Sequence, residues 1–147
     1  MLQEASRTAV DNVPVLEAWQ RLERDPKAQL VDVRTKAEWN FVGVPDLAPI
    51  GRSALLIEWQ TYPQGVTASD FVERCSASLR ETGAGADTDV YFLCRSGARS
   101  LSAARAMAAA GFARCHNIAE GFEGPLDERR RRLCGGWKVE GLPWFQG

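Results

Sequence analysis

Val90-Tyr91-Phe92-Leu93 is an unbroken apolar run, too short for a stable helix and suited to a strand buried on both faces. Cys94 follows at its carboxyl end, then Arg95, Ser96 and Gly97, and then an alanine-rich stretch from Ala98 to Ala110. The order reads as strand, tight loop, helix. A strand buried on both faces needs a sheet with helices on each side, and open α/β sheets present their chemistry at the carboxyl ends of such strands. The helix amino terminus supplies unpaired N–H groups and partial positive charge, which suits an anion. A cysteine placed there beside two arginines, Arg95 and Arg99, is a candidate thiolate nucleophile.

The rest of the chain alternates in the same way. Ser6 to Val10 reads as a short opening strand. Asn12 is placed to cap a helix carrying Pro14 in its first turn and Val15, Leu16, Trp19 and Leu22 near helical spacing, until Asp25-Pro26 stops it. Ala28 to Val33 predicts a strand, with Asp32 and Arg34 at the same end as Cys94. Lys36 to Trp39 suits one helical turn, Phe41 to Arg52 reads as loop, and Ser53 to Trp59 as another strand. Thr67 and Asp70 have capping-box spacing ahead of a helix on which Phe71, Cys75 and Leu79 recur every fourth residue. Gly83 to Asp87 ends it. Leu101, Ala104 and Ala108 share a face of the helix after Cys94, and Gly111 is its terminator. Arg114 to Ile118 predicts a strand, Gly121 to Gly124 a turn, and Asp127 to Arg132 a short charged helix or loop. Trp137 and Trp144 are expected to dock the closing segment on the core. The expectation is one α/β domain over 1–147, with a mostly parallel central sheet and helices on both faces.

A chain of 147 residues buries a core without disulfides or a structural metal. Its formal net charge of −1 lacks the basic excess of a general nucleic-acid binder. No apolar run reaches the length of a membrane span, and no basic start leads into an apolar signal core. A cytoplasmic location with reduced thiols is therefore expected, without nucleic-acid or membrane partners. The four cysteines, Cys75, Cys94, Cys115 and Cys134, form no CxxC pair. With a lone His116, no metal site or cofactor is expected.

Cys94-Arg95-Ser96-Gly97-Ala98-Arg99-Ser100 resembles the active-site loop of single-domain rhodaneses, the thiosulfate sulfurtransferase family. Leu30-Val31-Asp32-Val33-Arg34 with Glu38-Trp39 resembles that family's first signature. Asn117 to Phe122 resembles its segment after the last long strand, and Gly136-Trp137-Lys138 with Gly141 to Trp144 its closing segment. The likeness spans nearly the whole chain in order. One departure is Gly43-Val44-Pro45-Asp46-Leu47, where many relatives carry Gly-His-Ile-Pro-Gly-Ala; any role of that histidine does not carry over. The resemblance implies a persulfide mechanism: the Cys94 thiolate takes the outer sulfur of a donor such as thiosulfate or a persulfide, and cyanide or a protein thiol removes it.

Each candidate has a plainer alternative. Cys94 is a nucleophile or a small buried apolar residue. Arg95 and Arg99 are anion contacts or solvated cations, although the helix dipole disfavours a cation there. Ser96 and Ser100 bond the sulfur or cap the helix, while Gly97 and Ala98 complete the substrate-binding loop. Asp32 and Arg34 support the loop from behind, or form a turn and a surface ion pair with Glu38. Cys75 and Cys115 read as core, Cys134 as a resolving thiol or incidental, Arg129 to Arg132 as a solvated face or a docking patch. His116 has no visible partner for catalysis. Two other functions remain open: a sulfur carrier without turnover, and an arsenate reductase or phosphatase on the same fold. In cysteine phosphatases the arginine that grips the phosphoryl group falls one residue later, where this chain has Ser100.

Overall fold

All of Val90–Leu93 is buried, as its apolar continuity requires. In the computed structural model, which describes residues 10–60, 69–124 and 135–146, this strand is central to a five-stranded parallel sheet. The elements in chain order are β1 Asp11–Val13, α1 Val15–Arg24, β2 Gln29–Asp32, α2 Lys36–Phe41, β3 Val44–Pro45, a 3₁₀ turn Ala48–Ile50 and β4 Leu55–Leu56. Then follow α3 Phe71–Glu81, β5 Val90–Leu93, α4 Ala98–Ala109, β6 Cys115–Ile118 and β7 Trp144–Phe145. The strand order is β1-β6-β5-β2-β4, and β3 pairs with β7 in a separate antiparallel ribbon.

Side chains alternate across the sheet, so successive β5 residues enter different cores. Tyr91 and Leu93 join Leu30 and Ile118 beneath Val15, Ala18 and Leu22 of α1. Val90 and Phe92 join Val31 and Cys115 beneath Phe71, Cys75 and Leu79 of α3 and Ala103, Ala104 and Met107 of α4. Helices thus cover both faces. Alanines at 103, 104 and 108 let α4 lie close to the sheet, and that face includes Met107, while Leu101 is only half-buried.

Several sequence expectations change. Asn12 caps no helix: it lies in β1, opposite Asn117 of β6, and Pro14 takes the N-cap position of α1. The stretch Phe41 to Arg52 contains β3 and the 3₁₀ turn, and the strand expected over Ser53 to Trp59 contracts to Leu55–Leu56. Trp137 is fully buried and donates its indole N–H to the Pro143 carbonyl at 2.7 Å. Trp144 stays 41% exposed; it meets Phe122 edge to face and lies under Lys138. The expectations for Ser6 to Ala9, Thr67, Asp127 to Arg132 and Cys134 lie outside the described residues. Asp70, at the start of α3, makes no side-chain cap. Among the described residues no helix is long and apolar enough to cross a membrane.

Cys75 and Cys115 are core, as expected, and burial pushes both thiols up to about 12. An ordinary thiol titrates near about 8.5. Between those values the folded chain holds protons that the unfolded chain has released, so stability falls as pH rises through that window. Cys75→Ala should cost about 1–2 kcal/mol near neutrality. It should also lessen the alkaline loss, because one such thiol is gone. Urea midpoints at neutral and alkaline pH measure both effects. An undiminished alkaline loss in Cys75→Ala would remove this account.

Candidate active site

The loop after β5 is shaped by what its carbonyls bond. The Cys94 carbonyl accepts the Phe122 N–H at 2.8 Å, and the Arg95 carbonyl accepts the Glu123 N–H at 3.0 Å. These bonds require the backbone of the turn at residues 121–123 to lie directly against the loop. A Cβ on Gly121 would stand 2.5 Å from the Arg95 carbonyl oxygen, and one on Gly97 would stand 2.2 Å from that of Ala119. Gly97 also has φ +105°, a conformation other residues resist. With its carbonyls held outward, the loop brings the Gly97 N–H to 3.1 Å from Cys94 Sγ. α4 begins one residue later without a side-chain cap. Its first N–H groups have no intrahelical acceptor and remain for an anion in the loop.

Ser100, on the first turn of α4, lies 3.2 Å through Oγ from Cys94 Sγ and 2.5 Å from Asn117 Oδ1. Asn117 donates from Nδ2 to the Gly97 carbonyl at 3.1 Å and to Asn12 Oδ1 at 2.9 Å. Both amide hydrogens are thereby used, which fixes Oδ1 toward Ser100. The single Ser100 hydrogen then serves two acceptors. With Cys94 as a thiol, the S–H points to Oγ and the O–H to Asn117. With a thiolate or a persulfide anion, the O–H turns to the sulfur. Cys94 itself is 1% exposed. Asn117 and Asn12 were not singled out as site residues; the one available signal was the alternation of Asn117 with Cys115 on β6.

The arginines do not stand free. Arg99 forms a two-point pair with Glu38, at 2.7 and 2.9 Å, both side chains about one-fifth exposed. The alternative of a surface ion pair between Arg34 and Glu38 does not form. Burial alone would raise the Glu38 carboxyl, but Arg99 and Thr35 outweigh it and hold the carboxyl below its usual value. Thr35 and Glu38 form a capping box at the start of α2. Arg95 lies 3.2 Å from Glu123 and is 44% exposed, so this contact contributes little and yields easily to solvent.

Asp32 and Arg34 are fully buried and paired, Arg34 Nη2 lying 2.6 Å from Asp32 Oδ2 and 2.7 Å from the Gly43 carbonyl. Arg34 stacks over the Phe122 ring at 4.2 Å, and its Nη1 has no hydrogen-bond partner. The pair meets the turn behind the Cys94 loop through Phe122, whose ring lies under Arg34. Ser96 is half-buried and Ala98 exposed at the loop rim. His116 lies far from this loop, at the other end of the strands. It has partners the sequence did not reveal: Asp11 on Nδ1 and Asp89 on Nε2 at 2.7 Å, with Tyr91 stacked at 4.8 Å. Among the described residues no cluster of His, Cys, Asp and Glu is arranged to ligate a metal ion. Cys134 and Arg129 to Arg132 lie outside those residues.

The family model described as the STR4 middle domain matches residues 11–147. The crystal structure of Rv0390 from M. tuberculosis is 43% identical, with a TM-score of 0.81, over 94% of this chain and 98% of that one. Uncharacterized protein RP600 of Rickettsia prowazekii is 35% identical over 135 residues, 92% of this chain and 97% of that protein. The rhodanese-like domain of the Anabaena Alr3790 protein shares 21% identity and a TM-score of 0.62, over 95% of this chain and 81% of that one. At that identity the likeness concerns the fold, which is rhodanese-like.

Two substitutions test the loop geometry. Gly97→Ala forces a Cβ against the Ala119 carbonyl and should cost about 2–4 kcal/mol. Ser100→Ala leaves the buried Asn117 Oδ1 without a donor and should cost about 1–3 kcal/mol. Chemical denaturation measures both. If each variant stays within about 0.5 kcal/mol of the parent, the range of an ordinary surface change, this arrangement is wrong.

Proposed function

The chain belongs to the STR4 middle-domain family, with a rhodanese-like fold, and from that premise we propose that it is a sulfurtransferase in which Cys94 carries the sulfur as a persulfide. The observation that carries this reading is the convergence of the Gly97 N–H and the Ser100 hydroxyl on Cys94 Sγ. Both are donors to a sulfur anion, the first placed by the loop backbone and the second by Asn117, before any donor molecule arrives.

In the first half-reaction the Cys94 thiolate attacks the outer sulfur of a donor such as thiosulfate or a persulfide. The bond from Cys94 to that sulfur forms as the donor's S–S bond breaks. Its electron pair leaves with sulfite or with the donor's thiolate. In the second half-reaction cyanide or a thiol, including a protein thiol, attacks the outer sulfur and the Cys94 thiolate departs. Ser100 serves both halves by turning its hydroxyl to whichever sulfur species bears charge. Gly97 and Ser100 touch the reacting sulfur, Arg95 is the mobile cation at the rim, and Asn117 positions Ser100.

A phosphoryl-transfer reading fits this loop less well. The residue in register with the phosphatase arginine is Ser100, whose hydroxyl is already committed to Cys94 and Asn117. The neighbouring guanidinium of Arg99 faces Glu38, so it does not present its fork to a phosphoryl group. A displacement of about 1 Å in such a contact costs on the order of a hundredfold in rate.

Intact mass after treatment with thiosulfate or an organic persulfide should show one added sulfur on the parent protein and none on Cys94→Ser. Cyanide or a thiol should remove it. Turnover retained by Cys94→Ser, or efficient cleavage of aryl phosphates by a protein that takes up no sulfur, would overturn the reading.

A further inference from the structure

We propose that Glu38 sets the charge class of the sulfur donor: by holding the Arg99 guanidinium it makes the site favour an organic persulfide, at most singly charged, over a dianion such as thiosulfate. The inference rests on the sulfurtransferase reading and adds the substrate class.

Arg99 stands on the first turn of α4, between Gly97 and Ser100 that bond the Cys94 sulfur, and its Nη1 and Nη2 atoms are the fork that would grip an oxyanion. That fork already holds a carboxylate at 2.7 and 2.9 Å. Glu38 cannot easily leave. Its Oε1 also takes the Thr35 N–H at 3.2 Å and the Thr35 hydroxyl at 3.1 Å, within the capping box that starts α2. Two further described arginines around the loop are matched likewise, Arg34 by Asp32 and Arg95 by Glu123, while Lys138 lies over the Phe122 and Trp144 rings. The guanidinium groups of these three arginines are therefore each engaged by a carboxylate.

For a sulfur donor the consequence is electrostatic. A dianion approaching a thiolate meets like charge, and within a half-buried site that repulsion is screened less than in water. The N–H groups at the start of α4 offset part of it, and among the described arginines at the loop Arg95, exposed and weakly held, is the one readily able to exchange partners. An organic persulfide, at most singly charged, meets less of that repulsion and reacts through its protonated form R–S–SH. The Cys94 thiolate attacks its terminal sulfur, the bond between the two donor sulfurs breaks, and RS⁻ leaves with the electron pair. The proton stays on the transferred sulfur, so charge and atoms balance.

The test compares two donors by single-turnover persulfidation of the full chain, followed by intact mass: thiosulfate, and the persulfide of 2-mercaptoethanol, which carries no other ionisable group. The variant is Glu38→Gln. Glutamine is also suited to this position of a capping box, so α2 keeps its start while the negative charge is removed. The parent should persulfidate faster with the organic persulfide. In Glu38→Gln the ratio of second-order rate constants should shift toward thiosulfate by about tenfold, the scale of one charge-assisted contact. Glu38→Gln/Arg99→Gln should lose that shift, because the gain depends on the freed guanidinium. An unshifted ratio in Glu38→Gln, or a shift that survives loss of Arg99, overturns the proposal. If neither donor adds sulfur to the parent protein, the sulfurtransferase reading itself has failed, which is a separate outcome.

Discussion

The close approach of two backbone segments governs this molecule. The loop Cys94 to Gly97 and the turn through residues 119–123 bond through main-chain groups, Phe122 N–H to the Cys94 carbonyl and Glu123 N–H to that of Arg95. Gly97 and Gly121 leave no Cβ between them. With the loop carbonyls engaged there, the Gly97 N–H is the group left facing the sulfur. Backbone bonds of this kind are part of the fold and need little reorganisation when charge develops, which is why such donors are effective in catalysis.

Phe122 links this contact to the core. Its N–H holds the loop, while its ring lies under the Arg34 guanidinium and meets the edge of Trp144. Arg34 is in turn held by Asp32 and by the Gly43 carbonyl. A buried ion pair is weak evidence of stability by itself, because desolvation offsets much of its attraction. Its effect here is geometric: it positions the ring behind the loop without contacting the sulfur. The unpartnered Nη1 of Arg34 has no physical account in the described contacts.

Charge is distributed differently at the two ends of the sheet. At the carboxyl end Arg34, Arg95 and Arg99 each meet a carboxylate, and among these Arg95 is the one exposed enough to exchange partners readily. At the amino end, His116 sits between Asp11 and Asp89 against Tyr91. Those contacts join β1 to β6 and tie the segment before β5 to both. The first arrangement bears on reactivity, the second on holding the edge strand in register.

Local order was legible where periodicity is strong. The apolar run at Val90–Leu93, the fourfold spacing from Phe71 to Leu79 and the glycine after Arg95-Ser96 determined a strand, a helix and a tight loop, because each depends on neighbours a few residues away. The Thr35 to Glu38 capping box was equally visible and passed unused. Register and charge pairing were not legible. Asn12 looked like a helix cap until β1 paired with β6, which places it against a residue 105 positions distant. Arg99 looked like a free cation until the fold brought Glu38 to it across 61 positions. The sequence by itself determined the parallel α/β architecture and the cysteine at the strand end, since these follow from hydrophobic period and turn chemistry. Only the tertiary structure decided which acceptor each polar group of the site meets, because a hydrogen-bond partner depends on ångström-scale placement of segments far apart in the chain.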